Sequence, residues 1–133
     1  MRVMIIGCGR VGSVLANRLD EEGHQVVVLD RNQQSFRRLS EKFSGERIVG
    51  NGLVEEFLRP TLEKKTDILF AITDKDNINL MIAQRVKLNF QLARVIAVVH
   101  DSILAGLYKE LSVDTVCPTD LVIEDILKTI QGS

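Results

Sequence analysis

Three glycines fall within six residues, Gly7-Cys8-Gly9-Arg10-Val11-Gly12, directly after the apolar run Val3 to Ile6 and before a segment of helical periodicity. In that setting each glycine has its own task. Gly7 permits a tight turn, Gly9 lets the backbone approach a phosphate without a Cβ in the way, and Gly12 lets the helix pack closely on the strand. The free N–H groups and positive dipole end of that helix then face an anion. Arg10 sits inside the turn, close to where a terminal phosphate would project, and is either a surface arginine or a reader of phosphate number. Asp30 follows 18 positions after Gly12, at the end of the next apolar run. A carboxylate there accepts both hydroxyls of an adenosine ribose and repels a 2′-phosphate. Arg31 beside it suits stacking on an adenine ring. The chemistry expected is therefore the holding of an adenine nucleotide, NAD or NADH or one of ATP, ADP and AMP.

Two later loops extend the candidate site. Gly50-Asn51-Gly52 places an amide between two glycines, so that Asn51 either hydrogen-bonds the adenine edge, with Gly52 keeping the backbone close, or merely forms a turn. Thr73-Asp74-Lys75-Asp76 follows another apolar run, with Asn79 one turn into the next helix. Thr73, Asp74 and Asp76 are candidate ligand contacts, and Asp76 alternatively caps that helix.

For these loops to meet, the chain must bring the ends of several strands together. Six short runs rich in Val and Ile supply them: Val3 to Ile6, Gln25 to Leu29, Arg47 to Val49, Ile68 to Ile72, Val95 to Val99 and Thr115 to Cys117. Helical periodicity fills the intervals, near Val11 to Glu22, Gln33 to Phe43, Val54 to Leu58, Ile78 to Asn89, Ser102 to Leu111 and Leu121 to Ile130. Alternation of this kind predicts an α/β fold of Rossmann type, a doubly wound parallel sheet in the order 3-2-1-4-5-6 with helices on both faces. The third and sixth runs are short and suit the sheet edges. In the first helix Val11, Val14, Leu15 and Leu19 form an apolar stripe, Asn17, Arg18, Glu21 and Glu22 face water, and Gly23 closes the helix.

Composition narrows the class. The chain has 133 residues, 45% hydrophobic and 26% charged, with a formal net charge of −1. That fits one domain, residues 1–133, with a core of its own. Basic and acidic residues are interspersed, so no long-range field favours nucleic acid or anionic lipid. The first strand is too short for a signal-peptide core, so a cytoplasmic location without direct membrane insertion is expected. Cys8 and Cys117 lack metal-ligand or redox-pair spacing and are expected as buried thiols; no metal site and no catalytic residue is assigned.

With these residues assembled, the chain resembles the N-terminal nucleotide-binding domain of the regulator-of-potassium-conductance (RCK) family, also called the TrkA-N or KTN domain. The resemblance rests on Gly7 to Gly12 with its arginine, Asp30-Arg31, Gly50-Asn51-Gly52, the run Thr73 to Asn79, Arg94 to Asp101, and Val113 to Pro118. It implies a non-enzymatic regulatory subunit or domain of a potassium uptake system or channel, gated by NAD(H) or by ATP, ADP or AMP. It also implies a membrane potassium transporter or channel subunit as partner, peripheral attachment to the inner membrane face through it, and homodimers that can build rings. Many members carry aspartate where Asn51 stands and continue into a second ligand-binding domain, so the chain is either part of a longer protein or a stand-alone subunit. Dimers of the family form partly through the last helix, here about 120–131, whose Ile123, Ile126, Leu127 and Ile130, with Val122 beside them, make a stripe for a partner or for its own sheet. An NAD-dependent oxidoreductase is the competing reading. It would need a positioned acid or base, and His100, with only Asp101 evident beside it, is a weak candidate.

Overall fold

A computed structural model describes residues 1–92, 94–110 and 113–132. Strand β1 (Arg2–Ile6) has its four apolar residues buried. It pairs in parallel with β2 (Gln25–Asp30) on one side and β4 (Ile68–Ala71) on the other. β3 (Glu46–Val49) flanks β2, whereas β5 (Arg94–Val98) and then β6 (Asp114–Val116) extend the opposite side. The order is β3-β2-β1-β4-β5-β6, as the alternation of the sequence predicts, with the two shortest apolar runs at the edges. The order of strand addition switches sides at β1, which leaves the glycine turn between the ends of β2 and β4, where ligands bind in sheets of this kind.

Side chains alternate across the sheet and build two cores. Met4, Ile6, Leu29, Leu69 and Ala97 face three helices, α2 (Glu55–Leu62), α3 (Asp76–Asn89) and α4 (Ser102–Glu110), through Leu58, Leu62, Ile82, Ala83, Val86 and Ala105. On the opposite face Val3, Ile5, Val26 and Val28 meet α1 (Arg10–Glu21) and a 3-10 helix (Gln33–Arg38). On this second face Phe70 and Ile96 are only half-buried. The last helix, α5 (Pro118–Gln131), buries none of its residues. Its Leu121, Val122, Ile123, Ile126, Leu127 and Ile130 are 49–64% exposed.

Several sequence expectations are corrected. The helix expected over Gln33 to Phe43 is a single 3-10 stretch ending at Arg38. Asn17, expected to face water, explains the stop: its amide donates to the Arg38 carbonyl and accepts from the Ser40 N–H at 2.9 Å, taking backbone groups a longer helix would pair internally. Leu39 and Phe43 then enter the core from an irregular segment. The stripe on α1 is rotated. Val11 and Val14 are exposed, Gly12, Ser13 and Ala16 are buried, and Leu15 and Leu19 pack at the margin. Close approach of the helix start to the strand demands small residues at the contact, so the valines turn outward. The third helix runs on through Pro60 to Leu62, because burying both Leu58 and Leu62 outweighs the one N–H that proline lacks. Finally, α3 starts at Asp76 rather than Ile78. Leu111, where the fifth helix was expected to end, lies outside the described residues.

Candidate nucleotide-binding cleft

The turn after β1 is held by contacts that only glycine allows. Gly7 has a φ of +113°, and a Cβ there would lie 2.3 Å from the Ile72 carbonyl oxygen. A Cβ on Gly12 would lie 1.9 Å from the Gly7 carbonyl oxygen. These two glycines seat the loop against β4 and the helix against the loop. Gly9 differs. A Cβ there would meet nothing within 4 Å, so its surface opens onto free space. Gly9 is also the N-cap of α1, which has no side-chain cap and no acidic residue in its first turn. Its leading N–H groups, those of Arg10, Val11 and Gly12, have no partner among the described residues, an arrangement that can cap an external anion.

Around that space lies a cleft of about 560 Å³ lined by residues from the ends of β1, β2, β3 and β4, a size within the usual range for small-molecule sites. Gly7, Gly9, Asp30, Arg31, Asn51, Gly52, Thr73 and Asp74 of the sequence-derived set line it. Ile6, Leu29, Ile72, Ile78 and Ile82 form its apolar floor.

Asp30 does double duty. One carboxylate oxygen accepts the Cys8 N–H and the other the Asn32 N–H, both at 2.8 Å. It therefore fixes the turn to the end of β2, while each oxygen keeps a second lone pair for a ligand hydroxyl. Asn51 uses its carbonyl to accept the Leu53 N–H at 2.9 Å, which shapes the loop. Its NH₂ has no partner among the described residues and is the donor left for a ring nitrogen or carbonyl.

Other members of the set lie elsewhere. Cys8 is fully buried, with its N–H on Asp30 and its thiol on the Ser35 carbonyl at 3.4 Å. Burial, and next the Asp30 carboxylate, push that thiol above its ordinary range, which makes it a poor redox group. Arg10 and Val11 are exposed at the start of α1 and do not line the cleft. Asp76 points away from it. Its carboxylate accepts the His100 N–H at 2.8 Å, the Asp101 N–H at 3.0 Å and the His100 ring at Nδ1 at 2.9 Å. Partial burial raises its pKa, but the hydrogen bonds from His100 and Asp101 win and hold it below the usual carboxylate value. Asp76 is thus neither a cap nor a cleft residue but a clasp between α3 and the loop after β5. It is also the orienting carboxylate of His100 that the sequence conceals, 24 residues upstream. His100 does not line the cleft.

The residues missed are Ser35 and Arg38 on the 3-10 helix and Lys75 on the loop after β4, all of which line the cleft. Asn79 holds that loop. Fully buried, it accepts the Thr73 N–H at 2.8 Å and the Thr73 hydroxyl at 2.6 Å, and donates to the carbonyls of Thr73 and Val98 at 3.1 and 2.8 Å. All the hydrogen-bonding capacity of that amide is used.

The family model for the TrkA-N domain matches residues 3–119, from the first strand to the start of the last helix. The chain belongs to the TrkA-N domain family. Over 133 residues it is 35% identical to a Trk system potassium uptake protein TrkA of Streptomyces coelicolor, covering all of this chain and 60% of that relative. Among solved structures, the TrkA-N domain of the inner membrane protein ybaL from Escherichia coli superposes with a TM-score of 0.84 at 19% identity, over 96% of this chain and 95% of that one. A Kef C-terminal domain of Shewanella denitrificans in its AMP-bound form gives 0.80 at 22% identity, over 100% and 83%. The GsuK channel bound to NAD gives 0.73 at 20%, over 88% and 21%. At these identities the structures share the fold with this TrkA-N domain.

Proposed function

We propose that this TrkA-N domain is a regulatory nucleotide-binding element of a potassium transport system, reading adenine nucleotides in the cleft above Gly9. The observation that carries the reading is the uncapped start of α1, opening on free space at Gly9, with the Asp30 carboxylate on one side and an apolar floor beneath. Phosphates complete the helix cap, ribose hydroxyls take the remaining lone pairs of Asp30, and the base lies toward Arg31, Arg38 and Asn51. The relatives named for potassium uptake and the AMP- and NAD-bound structures of the same fold support both the ligand class and the transport role. Regulation is favoured over hydride transfer because His100, the histidine with an orienting carboxylate, stands outside the cleft.

The exposed apolar residues of α5 suit a second copy of the chain. Leu121, Val122, Ile123, Ile126 and Leu127 are about half exposed, and the half-buried Phe70 and Ile96 offer an incompletely covered apolar sheet face. A two-fold dimer would bury such surfaces in both copies at once. The membrane partner is then a potassium-translocating subunit, met on the cytoplasmic side.

Thermal unfolding with AMP, ADP, ATP, NAD and NADH tests the ligand class. A ligand at about 100 times its Kd adds about 2.7 kcal/mol to the folded state. Stabilisation that disappears in Asp30→Ala supports the site, and no shift with any of the five refutes it. Sedimentation equilibrium of Ile126→Lys against the parent chain tests the dimer; unchanged mass for both as monomers removes it.

A further inference from the structure

The cleft has two ends, separated by β1. β2 brings Asp30, with Arg31 and Arg38 beside it, to one end. β4 brings Asp74 and Lys75 to the other. The glycine turn lies between, so a nucleotide with its adenosine over β2 passes its first phosphates over Gly9 and directs whatever follows them toward Asp74 and Lys75. For a nucleoside triphosphate the continuation is another anionic phosphate. For a dinucleotide it is a second ribose, with hydroxyls and a less negative base.

These two side chains differ from the nearby carboxylates of Asp30 and Asp76. Both are exposed, and neither side chain has a hydrogen-bond or ion-pair partner among the described residues, whereas each oxygen of Asp30 and of Asp76 already accepts a backbone N–H. Their backbone is nevertheless fixed. Thr73 is held at both its N–H and its hydroxyl by the buried Asn79, and the Lys75 N–H reaches the Thr73 hydroxyl at 3.3 Å. Two free charges of opposite sign therefore stand on a rigid base at the position where the two ligand classes diverge. Arg10, the residue in the glycine turn that the sequence marks for phosphate reading, is outside the wall of this cleft.

We infer that Asp74 and Lys75 are the specificity-determining pair of the cleft: Lys75 takes the terminal phosphate of a nucleoside triphosphate, and Asp74 accepts the hydroxyls of a dinucleotide's second ribose. The inference rests on the nucleotide reading above and names the residues that rank its ligands. An ammonium is a point charge suited to a phosphate, whereas a carboxylate repels that phosphate and accepts from hydroxyls. One loop thus carries both preferences.

Isothermal titration with AMP, ATP and NAD in the presence of a metal chelator, on the parent chain and on Lys75→Gln, Asp74→Asn and Asp30→Ala, tests it. Lys75→Gln is expected to weaken ATP by about five- to ten-fold, the worth of one charge-assisted contact near the surface, with AMP and NAD changed less than about two-fold. Asp74→Asn is expected to weaken NAD and to strengthen ATP. Urea midpoints of both variants stay at the parent value, because the side chains have no internal partner to lose. Equal loss for all three ligands in Lys75→Gln, no change in any, or shifts of ATP and NAD in the same direction in Asp74→Asn overturns the pair while leaving the nucleotide site intact. Failure of the parent to bind any of the three, or indifference of all three to Asp30→Ala, overturns both readings together.

Discussion

Replacing Asn79 with alanine isolates the contact that holds the loop after β4. The amide makes four hydrogen bonds inside a fully buried position. Thr73 is half-buried, so its groups regain water when the loop relaxes, and their loss costs little beyond the net worth of each bond. The Val98 carbonyl is different: it lies in the interior and stays without a donor. An orphaned buried acceptor costs about 1–3 kcal/mol and each other bond contributes about 0.5–1.5 kcal/mol net, so a loss of about 3 kcal/mol is expected once partial recovery at Thr73 is allowed. For a chain of this size that corresponds to a fall in Tm of roughly 10 °C. Urea unfolding followed by circular dichroism reads it as a lower midpoint with an unchanged slope. Asn79→Asp provides the control. It keeps the acceptor for Thr73 but sets a second oxygen against two carbonyls, so at neutral pH it should destabilise at least as much as alanine. The gap narrows in acid, where a protonated carboxyl can donate to Val98. A loss below about 1 kcal/mol in Asn79→Ala, smaller than one orphaned buried group, would refute the claim that this amide pins the loop.

Gly9 and Gly12 should separate folding from binding. Gly9→Ala should leave stability within about 0.5 kcal/mol, as at an unobstructed surface position, yet remove nucleotide-induced stabilisation, because its Cβ meets only the ligand. Gly12→Ala should lower Tm in the absence of any ligand, since its Cβ falls 1.9 Å from the Gly7 carbonyl oxygen; an unchanged Tm would contradict that packing. The clasp at Asp76 makes a pH prediction. Its folded pKa lies below the unfolded one, so its stabilisation is full above the unfolded value of about 3.9 and vanishes as pH falls through the folded value. Asp76→Asn should accordingly unfold more easily than the parent at pH 7, with the difference closing below about pH 4, as followed by urea midpoints across pH. Cys8 should react with iodoacetamide only as fast as the fold opens, because its thiol is buried and its pKa raised; labelling at the rate of a free thiol, measured by mass spectrometry, would overturn that.

The sheet was legible in the sequence because strands covered on both faces leave continuous Val and Ile runs, and the glycine turn fixes which run is β1. Gly7, Gly9 and Gly12 were legible for the same reason: each spacing answers a backbone need. What escaped is what depends on partners far along the chain. Asn17 ending the 3-10 helix, Asp76 clasping His100, and Asn79 bracing Thr73 against Val98 each join residues that no local pattern links. The outward turn of Val11 and Val14 escaped because periodicity identifies an apolar stripe but not how closely the helix must approach the strand beneath it. Lys75 escaped because a lone lysine between two aspartates reads as ordinary surface even in a loop already placed at the site, and sequence does not tell which of its side chains line the cleft.

The last helix has a mechanical consequence. Fourteen residues at 1.5 Å rise make α5 a rod of about 21 Å, and no residue along it is buried. Near its root, Asp120 accepts a hydrogen bond from Ser102 at 2.7 Å, in the segment that the Asp76 clasp joins to the cleft loop. A rod fixed at one end behaves as a lever: a tilt of about 10° at Pro118 carries the far end through roughly 4 Å.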